Sequence, residues 1–232
     1  MPSPDEVLTR KRAAAARAAA LVRDGMTLGV GTGSTATLFI EELGKLVARG
    51  MRLNCVASSD RSAALAAGAG LRVLERHAGR LDLGVDGADE VAPDLALIKG
   101  GGGALLKEKL VALAAERFVV IVDDSKLVPA LGRRALPVEV VRFLWQDTGR
   151  RLSALGLTWE LRGGEASPFV TDEGHHILDA HVGGDGLIHD PAALARELKQ
   201  VTGVVEHGLF LGIATACLVG REERVDVVGE LG

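Results

Sequence analysis

Short apolar runs that stop at glycine, hydroxyl or carboxylate residues, then give way to helix-forming stretches, recur through the first 126 residues of the chain. Met26 to Val30 ends in Gly31-Thr-Gly-Ser-Thr35, and Arg52 to Ala57 ends in Ser58-Ser59-Asp60. Leu81 to Val85 ends in Asp86-Gly-Ala-Asp-Glu90, and Phe118 to Val122 ends in Asp123-Asp-Ser-Lys126. Such runs suit buried strands, and the stretches at about 36–49, 60–67 and 104–117 suit helices. Strands alternating with helices predict an α/β fold with a mostly parallel sheet covered on both faces. A helix over 5–23, carried by alanine propensity, precedes the first strand. Leu71 to Leu74 and Leu95 to Ile98 read as further short strands. The stretch 104–117 is apolar nearly all round, which predicts a buried helix.

The pattern changes after Pro129. Leu136 to Phe143 alternates as a strand, 146–155 reads as a helix and 157–162 as a strand. Phe169 to Val182 reads as a strand interrupted by Asp172-Glu-Gly174, and a helix over 191–201 carries Pro191 in its first turn. With a strand near Val204, the order β-α-β-β-α-β predicts a small ferredoxin-like α+β domain inserted near the C-terminus. The expected domains are 1–130 with 205–232, and 131–204.

Composition narrows the function. Apolar residues make up 47% of the 232 residues and charged residues 25%, the balance of an ordinary globule with a real core. A net charge of −4 argues against nucleic acid as a partner. No apolar run reaches the length of a membrane span, and the N-terminus lacks the apolar centre of a signal peptide, so a cytoplasmic protein is expected. Cys55 and Cys217 lie in separate apolar stretches, outside any CxxC pair, and read as buried structural thiols.

Four loops carry the chemistry. In Gly31 to Thr35 the glycines free the backbone to turn its N–H groups toward one point. A helix N-terminus follows, and Ser34 and Thr35 add hydroxyls, so Thr32, Gly33, Ser34 and Thr35 read as a phosphate cradle or, more plainly, as a strand-to-helix turn. The spacing also fits a weak GxGxxA dinucleotide pattern, but no acidic residue ends the next strand as that site requires. Asp86 and Asp89 are three apart on a turn through Gly87 and Ala88, a spacing that suits a small polar ligand, an Asx-turn or a divalent cation. Lys99 precedes Gly100, Gly101, Gly102 and Gly103, a costly run unless the backbone must approach something closely. Glu108 stands one turn into the next helix, with Ala104, Leu105, Val111 and Ala112 as helical neighbours. That apolar wall would raise the carboxyl pKa toward neutrality, as a general base needs, whereas the alternative is a solvated Lys-Glu-Lys face. Lys126, at the last strand end, suits a ligand phosphate or carboxylate, or plain solvent. The joint expectation places all these strand ends in one parallel sheet, where ligands bind outside the carboxyl ends.

The set GVGTGSTA (29–36), SSD (58–60), DGADEV (86–91), KGGGGALLKEK (99–109), DDSK (123–126) and GVVEHGLF (203–210) resembles the A-type ribose-5-phosphate isomerase family, in the same order and across nearly the whole chain. The resemblance implies reversible conversion of ribose 5-phosphate to ribulose 5-phosphate without metal or cofactor, on a Rossmann-like domain joined to a small α+β domain. It implies a sugar phosphate as the small-molecule partner, homo-oligomers (dimers or tetramers), and neither nucleic acid nor membrane. Matched by motif, Glu108 is the proton acceptor; the chemistry of moving a carbonyl from C1 to C2 then suits Lys99 for stabilising the charge on the oxygens, Asp86 for opening the ring and Asp89 for orienting hydroxyls. Substrate binding falls on Thr32 to Thr35, Asp86 to Asp89, Lys99 to Gly102, and Lys126. A sugar-phosphate sensor and an acyl-CoA transferase are the readings that compete.

Overall fold

A computed structural model of the chain describes residues 3–77 and 79–231. In chain order the elements are α1 (Pro4–Ala19), β1 (Thr27–Val30), α2 (Ser34–Ala48), β2 (Asn54–Ala57), α3 (Asp60–Gly68), β3 (Arg72–Val73) and β4 (Leu83–Asp86). Two short strands follow, β5 (Glu90–Val91) and β6 (Leu97–Ile98), then α4 (Leu105–Ala114) and β7 (Phe118–Asp123). Next come β8 (Leu136–Val140), α5 (Trp145–Ala154), β9 (Leu157–Leu161), β10 (His176–Val182), α6 (Pro191–Gln200) and β11 (Val204–His207). The chain closes with β12 (Leu209–Phe210), β13 (Ala216–Gly220) and β14 (Val225–Gly229).

The chain divides into two compact units. One comprises Met1–Ala88, Lys107–Lys126 and Gly212–Gly232, the other Asp89–Leu106 and Leu127–Leu211. The stretch 89–106 therefore groups with the second unit, because β6 pairs with both β5 and β12 in an antiparallel three-stranded ribbon.

The first unit is built on a seven-stranded sheet in the order β14-β13-β7-β4-β1-β2-β3, parallel except for β14. The expected parallel sheet with flanking helices is present. Its order reverses between β1 and β4, the switch point at which open α/β sheets form their ligand crevice. The core joins Leu38, Phe39, Ile40 and Leu43 of α2 to Leu28, Val30, Leu83, Val85, Val119 and Ile121 of the strands. Ala14, Ala15 and Ala18 let α1 close on the same core. Gly220 takes no side chain because an added Cβ would stand 1.9 Å from the Arg10 carbonyl oxygen of α1. Each fully buried Leu or Phe contributes roughly 1.5–3 kcal/mol. An exposed pair such as Arg52 with Asp24, 3.1 Å apart, is screened by water and adds little, so the apolar core decides the fold. Burial pushes the Cys55 thiol up to about 11 and the Cys217 thiol up to about 12, which suits structural thiols and not nucleophiles.

The second unit contains a four-stranded antiparallel sheet in the order β11-β8-β10-β9, the split β-α-β-β-α-β arrangement expected from its element order. One element differs. The strand expected from Phe169 begins only at His176, since the preceding residues form a loop closed by Thr171 N–H on the His175 carbonyl at 2.9 Å. No described helix is long and apolar enough to cross a membrane.

Candidate active site

In the first unit the loops after β1 and β4 are locked together. Gly31 must be glycine, because an added Cβ would fall 2.0 Å from Cγ of Asp86. The Thr32 N–H donates to Asp86 Oδ1 at 3.0 Å, and the Gly87 N–H donates to the same oxygen at 2.7 Å. An added Cβ on Gly87 would lie 3.9 Å from Cβ of Thr35, so the two loops adjoin across the switch point. Asp86 itself is buried. Beneath the first loop lies a hydroxyl cluster. Thr32 Oγ1 is 2.8 Å from Ser58 Oγ, donates to Ser59 Oγ at 2.9 Å and is 3.3 Å from Ser62 Oγ. Ser62 Oγ donates to the Gly31 carbonyl at 2.8 Å. Ser59 also caps α3 through the Ser62 N–H, so the SSD motif serves the cradle as well as the helix it starts.

Gly33 has a φ of +110°, a conformation that favours glycine, and serves as the N-cap of α2 without offering a side chain to it. Ser34 is exposed and Thr35 buried. Lys11 of α1 reaches this loop, which sequence reasoning missed. Its Nζ is 3.1 Å from Ser34 Oγ and 4.0 Å from Oδ2 of the buried Asp123. The only sequence signal for it was a lysine in a basic first helix. Lys126 is half-buried in the short 3₁₀ turn Asp124–Lys126 that follows β7.

Glu108 stands in the first turn of α4, and it is 4% exposed, so the solvated Lys-Glu-Lys face does not exist. Val111, Ala112 and Ala115 share its face and are buried with it. Two glycines in neighbouring strands admit that face. A Cβ on Gly29 of β1 would stand 2.5 Å from Val111 Cγ1, and one on Gly84 of β4 would stand 3.0 Å from Ala115 Cβ. Because α4 precedes β7, which runs parallel to β4, its N-terminal turn lies at the carboxyl edge of the sheet. Thr32 to Thr35, Asp86 to Ala88, Glu108 and Lys126 are therefore all at one edge of one sheet. Lys107, next to Glu108, is tied by Nζ to Asp60 Oδ1 at 3.1 Å. The helix is not buried all round as its composition predicts. Leu110 and Leu113 are 59% and 58% exposed on the opposite face.

The lysine–glycine loop corrects a second expectation. It does not leave the parallel sheet but follows β6 of the antiparallel ribbon in the second unit. Lys99 is 2% exposed, its N–H donates to the Gly208 carbonyl at 2.9 Å, and its Nζ lies 5.4 Å from the centre of the Phe210 ring. Asp89 is tied into the same loop, accepting at Oδ2 from the Gly101 N–H at 2.8 Å. A Cβ on Gly101 would fall 2.7 Å from Asp89 Oδ1. Glu90, third acid of the motif, is a structural residue. Its carboxylate accepts from the Gly132 N–H at 2.8 Å and the Arg134 N–H at 2.5 Å. Among the described residues no three His, Cys, Asp or Glu side chains group as a metal site would need.

The family model of ribose 5-phosphate isomerase A (phosphoriboisomerase A) matches residues 54–224. The chain belongs to this family. It is 47% identical to ribose-5-phosphate isomerase A of Bradyrhizobium diazoefficiens, over 94% of each chain. It is 49% identical to that of Chloroflexus aurantiacus, over 95% of this chain and 93% of the relative. The ribose 5-phosphate isomerase A structure from Methanocaldococcus jannaschii superposes with a TM-score of 0.89 at 37% identity, covering 95% of this chain and 98% of that one. A D-ribose-5-phosphate isomerase solved in complex with phospho-erythronic acid gives 0.91 at 36% identity, covering 97% and 99%.

Proposed function

We propose that the chain interconverts D-ribose 5-phosphate and D-ribulose 5-phosphate, the substrate class its relatives are named for, through an enediol(ate) with Glu108 as the single proton-shuttling base. The observation that carries this reading is the place of Glu108: a buried carboxylate at the carboxyl edge of the parallel sheet, beside loops that straddle the switch point.

Moving the carbonyl from C1 to C2 needs one proton removed and one returned. The Glu108 carboxylate takes the proton from C2 of the open-chain aldose. The electrons of that C–H bond form the C1–C2 double bond, and negative charge gathers on the C1 oxygen. Glu108 then returns its proton to C1 while the hydroxyl proton passes from O2 to O1, which leaves the ketone at C2. A buried ammonium is suited to stabilising such an oxyanion where water is excluded, and Lys99 is assigned that task. Asp86 assists opening of the furanose ring, and Asp89 orients hydroxyls, with Gly87, Ala88, Gly100, Gly101 and Gly102 giving close backbone approach.

The substrate phosphate is placed on Thr32 to Thr35. Thr32 shapes the cradle, since its N–H and hydroxyl already tie the loop to Asp86 and the serine cluster. Lys11 and Lys126 supply positive charge there. The two compact units act as a catalytic domain and a smaller α+β domain. The enzyme works as a homo-oligomer in the cytoplasm, without metal, cofactor, nucleic acid or membrane.

The test is an isomerisation assay on ribose 5-phosphate after exhaustive EDTA treatment. Full turnover is expected, with competitive inhibition by phospho-erythronic acid, whose carboxylate copies the planar, anionic enediolate. Loss on chelation with recovery on adding a divalent ion would make the acidic loop a metal site. No turnover of ribose 5-phosphate by untreated enzyme would overturn the proposal.

A further inference from the structure

The glycine loop after Lys99 has a partner about sixty residues on. Arg162 follows β9 directly, and its own N–H donates to the Ile177 carbonyl of β10 at 2.9 Å. Its Nε donates to Asp179 Oδ2 at 2.9 Å and its Nη2 to Asp179 Oδ1, the two parallel bonds of a guanidinium–carboxylate fork. That fork fixes the plane of the guanidinium and aims the remaining nitrogen. Nη1 donates to the Gly100 carbonyl at 2.8 Å and to the Gly101 carbonyl at 3.3 Å.

The next turn of chain closes the arrangement. The Phe169 N–H donates to the Arg162 carbonyl at 2.8 Å, and the Phe169 ring lies with its centre 5.9 Å from the guanidinium carbon. The same ring fills the space a side chain on Gly103 would need, since an added Cβ would fall 2.4 Å from its Cζ. Gly100 and Gly103 have φ of +103° and +85°, so the loop between them is costly for most residues and intrinsically loose with glycines. It is nonetheless held on two sides, by Asp89 on the Gly101 N–H and by Arg162 on two carbonyls.

We propose that Arg162, aimed by Asp179, is a positioning residue for the isomerisation: it fixes the glycine loop that carries Lys99 and engages the negative ends of the Gly100 and Gly101 peptides. This rests on the reading of Lys99 as the oxyanion partner. Carbonyl oxygens facing an enediolate would oppose the charge that Lys99 favours, and a loop free to rotate its peptides would present them. Arg162 acts through Lys99 and the loop, without touching substrate. The effect is therefore one on the transition state, read in kcat, and not on ground-state binding.

The experiment is a double-mutant cycle of Arg162→Met and Lys99→Met, with Arg162→Lys beside it, each assayed on ribose 5-phosphate and checked for fold by circular dichroism. Arg162→Met is expected to lower kcat about 10- to 100-fold with KM near the wild-type value, the scale of an ångström-level misplacement of a catalytic group. Arg162→Lys keeps the charge but cannot grip Asp179 and both carbonyls together, so it should recover only part of the loss. In the Lys99→Met background, Arg162→Met should cost less than about 3-fold, because its route of action is already gone. Equal cost in both backgrounds, or an unchanged kcat in folded Arg162→Met, would overturn the assignment. If wild type fails to turn over ribose 5-phosphate, it is the proposed function that fails; if wild type is active and folded Arg162→Met is unimpaired, only the role of Arg162 fails. Should Arg162→Met not fold, Arg162→Lys alone decides through the same comparison in the two backgrounds.

Discussion

The loop at 31–35 and the loop at 99–103 are both glycine-rich and both follow apolar strands, but they are held by forces of different range. The first is held by its own neighbourhood. It sits between a parallel strand and the helix it starts, over hydroxyls that begin the next helix, against the carboxylate that ends the adjacent strand. The second follows a two-residue strand of a small ribbon, and its shape comes from side chains far away in sequence, Arg162 and Phe169, with Asp89 on the other side. A loop seated at a sheet's switch point inherits its geometry from the fold. A loop on a short ribbon must have its geometry supplied.

That contrast can be broken in solution. Lys11→Met should have the largest effect on the first loop. If Lys11 shares the phosphate with Ser34, its loss removes a charged hydrogen bond of about 1.5–3 kcal/mol, which raises KM for ribose 5-phosphate roughly 10- to 100-fold with kcat little changed. The same substitution should leave KM for an unphosphorylated pentose unaltered, and equal losses on both substrates would remove Lys11 from the phosphate site. Gly31→Ala acts on the seam between the two first-unit loops. The new methyl cannot coexist with Asp86 in its present place, so about 1–3 kcal/mol of stability should be lost, read as a lower urea midpoint at constant m. An unchanged midpoint would mean that the seam is slack and that the first loop is no better held than the second.

The sequence carried most of the first unit because its signals are local. Apolar runs, glycine turns and a serine cap lie within a few residues of the structure they produce, and the hydroxyls of the SSD motif were visible even though their second task was not. The small unit was legible through its element order, apart from the stretch before His176, where β-branched composition competed with a closed turn. What escaped was set by tertiary contact. The ribbon of β5, β6 and β12 needs a pairing more than a hundred residues apart, so the Lys99 loop looked like one more end of the parallel sheet. Lys11 and Arg162 were invisible because neither stands in a motif. The exposure of Leu110 and Leu113 escaped because an all-round apolar helix gives no sign of which face the sheet takes.

The proposed isomerisation depends most on Glu108 as the base that moves the proton, and its most direct test is the kcat of Glu108→Gln on ribose 5-phosphate. The amide keeps the size and the burial but cannot accept the C2 proton. A fall of roughly 10²- to 10⁴-fold in kcat, with KM within a few-fold of wild type, is predicted for loss of a general base. A folded Glu108→Gln enzyme that retains more than about a tenth of the wild-type kcat would contradict the shuttle.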